Sequence, residues 1–546
     1  MKDGLGKHIG TVVGNTSPQE FRFFLRRFEG KLGDLVTVTM DIPGDQGTKR
    51  VITWGRVVEL ERSNPFLPLE AGLELADEGL EIMDTVLSTS RDQIHARAIV
   101  LGYTLPGDIE TLMPLNYPVS PGAEVRLPPA EAVQALLTGD EKVNRLRLGT
   151  LMGRKDVEVS LKTNAIVARH MAILAMTGGG KTVAARRIIR ELLARRYPVL
   201  IFDPHGDYLG LWENRQVLSG AQVKLFYPYL QVTEDSRDLI AYLVRQLTQG
   251  FSDAQREKYE EAANSVALGE DPLPITNFVE RVLQELGRTD ARHPGTLPAV
   301  KRGLRFVKQQ VEAMELSNRR LRQRLEGYPF EPMPDPVIAP EKYVQPGQAS
   351  IVYLGGYDHL TQSTVVAIVL KNLFEVRASL TNRIPPLLAV IEEAHNFIPS
   401  RTEGQTESPS VEVIRKVITE GRKFGVGLLL ISQRPNRLDE TTLSQCNTFL
   451  IFRLVNPRDQ AFVERVMENL SPADAKLLPG FGPGQGIVSG QAVRFPLVIQ
   501  VEYDRDLMSK NLADEDFVAQ VERWQASPTA EAVRRSEAIE RVLDQI

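Results

Sequence analysis

A glycine-rich loop between an apolar run and a helical pattern constrains this chain most. Residues 171–174 have the composition of a buried strand, and residues 183–194 have apolar side chains at helical spacing. In such a strand–loop–helix unit, backbone N–H groups and the helix amino end cradle phosphate oxygens, a lysine reaches the terminal phosphates and a hydroxyl ligates Mg²⁺. The sequence therefore predicts a nucleotide-phosphate site. Its residues are Thr177, Gly178, Gly179, Gly180, Lys181 and Thr182.

The loop departs from the usual pattern at one position. The pattern G-x-x-x-x-G-K-[ST] would place its first glycine where this chain has Ala175. A Cβ atom must therefore fit there. The alternative is a glycine-rich turn before an ordinary helix. It accounts less well for the agreement of strand, three glycines, Lys-Thr pair and helix.

Two adjacent acids follow another apolar run. Residues 387–391 are predicted to form a buried strand, and Glu392 and Glu393 come directly after it. A nucleotide hydrolase needs one carboxylate for the metal ion and its water shell, and a base that orients the attacking water. We assign Glu392 to Mg²⁺ and Glu393 to the water, with a solvated pair of loop acids as the alternative. Glu393 lies 212 residues after Lys181, which indicates that a helical block leaves the sheet and returns.

Two further polar residues are candidates for the same site. Gln433 follows the apolar run 426–431, and ligands of parallel sheets bind where strands end, so we predict that it senses the terminal phosphate. Arg422 precedes that run and is a candidate arginine finger, which neutralises charge in the site of a neighbouring chain. Arg415 and Arg458 are alternatives for the finger. For each of these residues, the alternative interpretation is an ordinary polar residue at the protein surface.

Charge and cysteine content limit the remaining function classes. Lys and Arg number 65 and Asp and Glu 70, a net charge of −5, so any contact with nucleic acid has to be local. Residues 301–326 hold eight Lys and Arg against three Glu; we read them as a solvated helix face, with DNA contact as the alternative. The single cysteine, Cys446, cannot form an intramolecular disulfide or a four-ligand zinc site, which indicates a reducing, cytoplasmic compartment. No apolar run predicts a membrane span.

The pattern of apolar runs divides the chain. The amino-terminal part has short β-type runs separated by turn residues, as in a small barrel or sandwich. Apolar runs then alternate with helical patterns, as in an α/β fold with a parallel sheet, and a helical stretch interrupts this alternation. The predicted parts are a β-domain at 1–150, core segments at 151–232 and 341–500, a helical insertion at 233–340 and a tail at 501–546.

Several segments together resemble one protein family. They are residues 169–174, the loop, and residues 203–206, 392–396, 420–425 and 432–435. In this combination the chain resembles the HerA-type DNA translocases of the HerA/FtsK superfamily, and the resemblance spans nearly the whole chain. It implies an α/β fold with a RecA-like P-loop core, a helical-bundle insertion and an amino-terminal β-barrel of the HAS type.

The resemblance also implies partners and roles. It implies ATP and Mg²⁺ bound between the subunits of a homohexamer, with double-stranded DNA driven through the central pore. The partner would be a NurA-type nuclease in DNA end resection, or another effector in anti-phage defence. By matching motif, Arg169 would contact the nucleotide of its own chain, and Arg422 that of a neighbour. Glu392 stands where many relatives have Asp.

Three functions fit these features. The one we favour is a hexameric ATP-driven DNA translocase or helicase that acts with a nuclease and has no membrane partner. The second is a nucleotide-stabilised ring scaffold that activates an effector nuclease, with hydrolysis only regulatory. The third is a conjugation or secretion motor of the same superfamily, which would be expected to bring a membrane segment.

Overall fold

The protein is described by a computed structural model. It covers residues 6–26, 29–44, 47–64, 93–139, 144–232, 243–244, 251–268, 273–288, 297–379, 383–400, 408–467, 470–507 and 517–525. Three parts are present: an amino-terminal barrel, a large α/β sheet, and a group of helices inserted into the sheet's chain path.

The amino-terminal part is a closed antiparallel barrel. Its strands alternate buried and exposed side chains; in the second strand Phe21, Phe23 and Leu25 point into the core. The spatial order is β2-β1-β7-β3-β4-β5, and pairing of β2 with β5 closes the barrel, while β6 extends β5. The predicted β-barrel is confirmed. The strands are β1 Lys7–Val13, β2 Glu20–Leu25, β3 Leu35–Gly44, β4 Gly47–Ser63, β5 Gln93–Leu105, β6 Asp108–Met113 and β7 Glu124–Leu127.

The first core segment begins before the predicted boundary at residue 150. Strand β8 pairs with β9 and with a strand from the end of the core, so it belongs to the large sheet and not to the barrel. The partner from the end of the core is distant in sequence, and the β-type composition of β8 alone did not reveal it. The elements are α1 Ala130–Thr138, β8 Arg145–Leu151, β9 Arg154–Lys162, α2 Thr163–Val167, β10 Met171–Leu174, α3 Lys181–Ala194, β11 Val199–Asp203, α4 Leu209–Glu213 and β12 Gln222–Tyr227.

The helical insertion follows and packs on the core. Apolar side chains at helical spacing form its buried faces, such as Phe278, Val279 and Val282. The chain returns to the sheet at β15, which pairs with β12, so the insertion ends before the predicted residue 340. The predicted helical insertion is confirmed as a feature of the fold. Its elements are β13 Gln231–Val232, α5 Asp253–Ser265, β14 Leu273–Pro274, α6 Ile275–Arg288 and α7 Leu297–Arg324, and the returning strand is β15 Phe330–Pro332.

The second core segment supplies the remaining strands. The predicted runs at 387–391 and 426–431 form strands with those bounds, extended by one residue in the second. The elements are β16 Gln348–Tyr353, α8 His359–Ala378, β17 Leu387–Ile391, α9 Ser410–Phe424, β18 Val426–Ser432, α10 Glu440–Ser444, β19 Thr448–Ile451, α11 Pro457–Val466, α12 Pro472–Ala475, β20 Gln485–Gly490, β21 Leu497–Val501 and, in the tail, α13 Phe517–Gln525.

The large sheet places the loop strand beside the acid-bearing strand. Among the described residues its order is β15-β12-β16-β11-β17-β18-β10-β19-β20-β21-β8-β9, with the strands from β15 to β19 parallel. Along β10, Ala172 and Leu174 enter one apolar core while Met171 and Ile173 enter the other, so both faces are covered by helices. Carboxyl ends of parallel strands meet at one edge, which brings the residues after β10, β17 and β18 together.

This arrangement is the RecA-like core that the sequence predicted. In the parts of the chain described above, no helix combines the length and the apolar composition needed to cross a membrane.

Candidate active site

The loop after β10 adopts a conformation that needs its glycines. Gly178 and Gly180 have φ of +77° and +109°, in the left-handed region where a side chain is strained. A Cβ atom on Gly180 would also lie 3.1 Å from the Cα of Gly484. Helix α3 begins at Lys181, and the first N–H groups of a helix have no partner within it. The loop and helix end therefore offer donors to an anion.

Ala175 fits this loop. It is completely buried, its φ is outside the positive region, and its N–H donates to the Ser432 carbonyl at 3.2 Å. The departure from the glycine pattern is thus accommodated by a backbone that does not require glycine at this position.

Lys181 joins both acids in one buried cluster. Its Nζ lies 2.7 Å from Oε1 of Glu392 and 2.7 Å from Oε1 of Glu393. Burial acts to lower the pKa of Lys181, but the two carboxylates outweigh it and hold the pKa above its usual value. Lys181 therefore meets two acids that lie 211 and 212 positions further along the chain. This is the juxtaposition that the sequence predicted.

Glu392 is held on its other side by a residue that the sequence did not indicate. The Tyr208 hydroxyl donates to its Oε2 at 2.8 Å, and Tyr208 is itself fully buried. Asp203, at the end of β11, positions this tyrosine by accepting the Tyr208 N–H at 2.9 Å and the Gly206 N–H at 2.7 Å. Burial raises the pKa of Asp203 to about 6. His205, in the same turn, is exposed.

Glu393 has the geometry of a base with a free acceptor atom. Its backbone φ is +51°, in the left-handed region where residues other than glycine are strained. Its Oε2 is buried and accepts no hydrogen bond from the described residues, although Nδ1 of His395 lies 3.3 Å away. Nδ1 of His395 is also 3.1 Å from the Ser432 hydroxyl, and burial lowers the pKa of His395 to about 4. A neutral imidazole therefore borders the carboxylate at neutral pH.

Gln433 and the loop are in direct contact. The Thr177 hydroxyl donates to Oε1 of Gln433 at 2.7 Å, so the predicted phosphate sensor lies at the mouth of the loop. Thr182 is partly buried at the second position of α3, next to Lys181. Together with Glu392 it supplies the hydroxyl and carboxylate oxygens that Mg²⁺ prefers. With the glycine loop, these residues fit a magnesium-bound nucleotide phosphate.

The two candidate arginines lie at the opposite edge of the sheet. Arg169 comes before β10 and donates to Oε1 of Gln491, and Arg422 is exposed in the last turn of α9, before β18. Strand β10 spans about 13 Å, so Arg169 is separated from the loop of its own chain. The structure thus corrects the expected contact of Arg169 within its chain: a residue at the amino end of a parallel strand faces away from ligands at the carboxyl end.

Known proteins resemble the chain along its length. Residues 146–373 match the family model described as the central domain of helicase HerA. The chain is 27% identical to the DNA double-strand break repair helicase HerA of Pyrococcus furiosus, over 92% of this chain and 93% of that one. It is 28% identical to the probable DNA double-strand break repair helicase HerA of Methanocaldococcus jannaschii, over 72% and 83%. The solved structure of VirB4 of Thermoanaerobacter pseudethanolicus aligns with a TM-score of 0.45 and 14% identity, over 68% and 99%. The resemblance recognised in the sequence is confirmed.

Proposed function

We propose that this chain, which carries a HerA-type helicase core, uses ATP hydrolysis to move along double-stranded DNA during DNA repair. The family match supports the predicted enzyme class, a P-loop ATPase with helicase function. The observation that carries the proposal is the buried contact of Lys181 with Glu392 and Glu393 beside the glycine loop.

The residues at the carboxyl edge divide the work of holding ATP. The loop N–H groups and Lys181 would bind the phosphates, and Thr182 and Glu392 would hold Mg²⁺ directly or through its water. The metal ion, when bound, neutralises charge on the phosphates. Lys181 pairs with both acids in this structure, so it must turn from them towards the phosphates when ATP binds. Tyr208 keeps Glu392 in place during this exchange.

Glu393 is the proposed base. Its free Oε2 can accept a proton from a water that attacks the terminal phosphate. Gln433 would donate its amide N–H groups to that phosphate, because its Oε1 already accepts the Thr177 hydroxyl.

The arginines support an assembly of several chains. Arg422 is exposed and lies at the edge of the sheet opposite the loop of its own chain, which suits a finger that enters the site of a neighbour. Arg169 lies at the same edge and could serve the same neighbouring site. We infer that the active form is the homohexamer that the family resemblance implies, with DNA in its pore.

The relatives suggest the process. Two of them are named for repair of DNA double-strand breaks, so DNA repair is the role we propose here. A NurA-type nuclease as partner, a role in anti-phage defence and a cytoplasmic location remain predictions from the sequence.

The test compares hydrolysis with movement. We expect duplex DNA to raise the ATPase rate of the wild-type chain, and the chain to displace a third strand from a DNA triplex. Glu393→Gln should bind ATP but hydrolyse it about 10²- to 10⁴-fold more slowly, because the base is lost and the shape is kept. Vigorous hydrolysis by this variant would refute the assignment of the base.

The ring scaffold gives the opposite pattern. If duplex DNA leaves the ATPase rate unchanged, and Glu393→Gln still activates an added NurA-type nuclease, hydrolysis is only regulatory and the scaffold is the function.

A further inference from the structure

The end of α7 carries a group of arginines that the proposed ATPase site does not use. Arg319, Arg320, Arg322 and Arg324 fall within the last six residues of this helix and all are exposed. Within the described parts of the chain, none of the four has a carboxylate at ion-pair distance. Lys308 of the same helix, in contrast, contacts Glu280 at 2.5 Å and Glu312 at 3.5 Å. The helix end is therefore a concentration of positive charge without ion pairs to the described carboxylates, which is the electrostatic feature of a phosphate-binding surface.

A cavity adjoins two of these arginines. It has a volume of about 340 Å³ and lies between the carboxyl end of β12, the start of α6 and the end of α7. Arg319 and Arg322 line it together with Tyr227, Tyr229 and Asn318. A space of this size holds one nucleotide but no base-paired duplex.

The cavity wall has the groups that bind a base. The guanidinium of Arg322 lies 5.6 Å from the centre of the Tyr227 ring, and Tyr229 is partly exposed beside it. Aromatic rings and guanidinium planes are the surfaces on which unpaired bases stack. Because every base has such a face, these groups predict binding without strong sequence preference.

Amide side chains complete the wall and one of them is rigid. Asn318 is 3% exposed; its Nδ2 donates to the Pro228 carbonyl at 2.8 Å, and its Oδ1 accepts the Tyr357 hydroxyl. Asn277, in the first turn of α6, is exposed and can turn towards a base edge. Glu315 is an acidic member of the lining, so the cavity is less positive than the surface around it.

The arrangement favours a strand over a free nucleotide. Arg319 and Arg322 face the cavity, while Arg320 and Arg324, four residues apart, share a neighbouring face of α7. A free nucleotide would occupy the first pair alone. A strand with one base in the cavity would place its neighbouring phosphates along the second pair.

The site is separate from the phosphate loop. Strand β12 is five positions from β10 in the sheet, about 24 Å at the usual spacing of strands. Both sites open at the same edge, because both strands are parallel.

We propose that the end of α7 and its cavity bind a single-stranded segment of nucleic acid, with one base stacked on Tyr229 and the guanidinium of Arg322, and flanking phosphates on Arg320 and Arg324. This inference rests on the proposed DNA-processing function, in which strands are separated or trimmed, and names where an unpaired strand is held.

The test uses charge reversals at two places on the same helix. Binding of a labelled oligothymidylate is measured by fluorescence anisotropy over a salt series. Arg320→Glu with Arg324→Glu should lower the affinity about tenfold or more, and reduce the slope of log affinity against log salt by about 1.4, because two phosphate contacts are lost. The matched control, Arg302→Glu with Arg305→Glu, changes two exposed arginines near the start of α7 and should keep the wild-type affinity. Tyr229→Ala should lower the affinity about tenfold with the salt slope unchanged, because stacking releases no counterions.

Three results would overturn the inference. They are equal weakening by both double variants, no weakening by either, or competition by a mononucleotide as strong as that by the oligonucleotide, which would indicate a free-nucleotide pocket. Failure of the proposed function is seen separately. If duplex DNA stimulates no hydrolysis by the wild-type chain, the translocase is refuted, whatever the oligonucleotide measurement gives.

Discussion

The two edges of the parallel sheet carry their charges in different ways. At the carboxyl edge, Lys181, Glu392 and Glu393 are buried, and the Lys181 ammonium lies 2.7 Å from an oxygen of each carboxylate. At the amino edge, Arg422 is exposed and Arg169 partly so. A buried charge interacts with its immediate partners, so its removal destabilises the chain that contains it. An exposed arginine at the far edge can act on another chain. In the assembly proposed above, one chain would hold most of a site and its neighbour would supply the rest.

Removal of Lys181 should have the largest effect. Lys181→Ala takes away the phosphate contact and leaves two buried carboxylates without their cation, which costs about 3 to 5 kcal/mol of unfolding free energy. We expect no rise in melting temperature on addition of Mg-ATP, which binding to the native state would otherwise cause. Lys155→Ala, at an exposed lysine of β9, is the control and should behave as wild type. A normal ATP-dependent rise in the Lys181 variant would contradict the site.

The proposed arginine finger predicts a large loss of ATP hydrolysis, part of which is restored by mixing with a second variant. Arg422→Ala should lower hydrolysis about 10³-fold in the assembled protein while ATP still binds. Assembled together with an equal amount of Lys181→Ala chains, it should regain about a quarter of wild-type activity, because one interface in four then joins an intact loop to an intact finger. The two variants mixed after assembly, without exchange of chains, serve as the control. Activity no higher than the sum of the separate variants would place the finger elsewhere, Arg415 and Arg458 being the next candidates.

A buried histidine at the amino edge should make stability depend on pH. Nδ1 of His170 accepts the Leu428 N–H at 3.0 Å, and burial lowers its pKa to about 4. As pH falls from about 6.5 to 4, His170 becomes protonated in the unfolded chain but stays neutral in the folded chain. This difference lowers the free energy of unfolding by up to about 3 kcal/mol.

The matched variant is His170→Asn, since Asn can accept the same hydrogen bond and tolerates the φ of +58° found here. Denaturant unfolding at several pH values should show a smaller loss of stability in the variant between pH 6.5 and 4. An identical pH dependence in both chains would show that His170 titrates normally.

The smallest effect is expected at the departure from the loop pattern. Ala175→Gly should leave ATP affinity within about twofold, and lower the unfolding free energy by about 0.5 to 1 kcal/mol because glycine loses more backbone freedom on folding. Tenfold tighter binding by the glycine variant would mean that the Ala175 Cβ obstructs the phosphates.

The carboxyl edge could largely be predicted from the sequence because each of its parts is local. A strand followed by glycines and Lys181, and a strand followed by Glu392 and Glu393, are patterns within a few residues, and parallel pairing then brings the strand ends together. The barrel and the helical insertion were predictable for the same reason, since period-two and helical spacing are read in short windows.

Contacts between distant segments could not be predicted. The Tyr208 bond to Glu392 joins residues 184 positions apart, and no spacing rule links a tyrosine in one turn to an acid on another strand. Gly484 contacts Gly180 from a turn near the end of the core. The position of β8 in the large sheet depends on pairing with β21, which the β-type composition of its residues does not specify. The position of Arg169 at the amino edge likewise could not be predicted without the direction of β10 in the sheet.

Titration calorimetry of ATP into the Glu393→Gln chain, with and without Mg²⁺, tests most directly whether the acids and Lys181 surround one magnesium-bound triphosphate. We predict one ATP bound per chain in the presence of Mg²⁺, with binding weakened when the metal ion is removed. Absence of binding heat, or binding that ignores Mg²⁺, would contradict the proposed site.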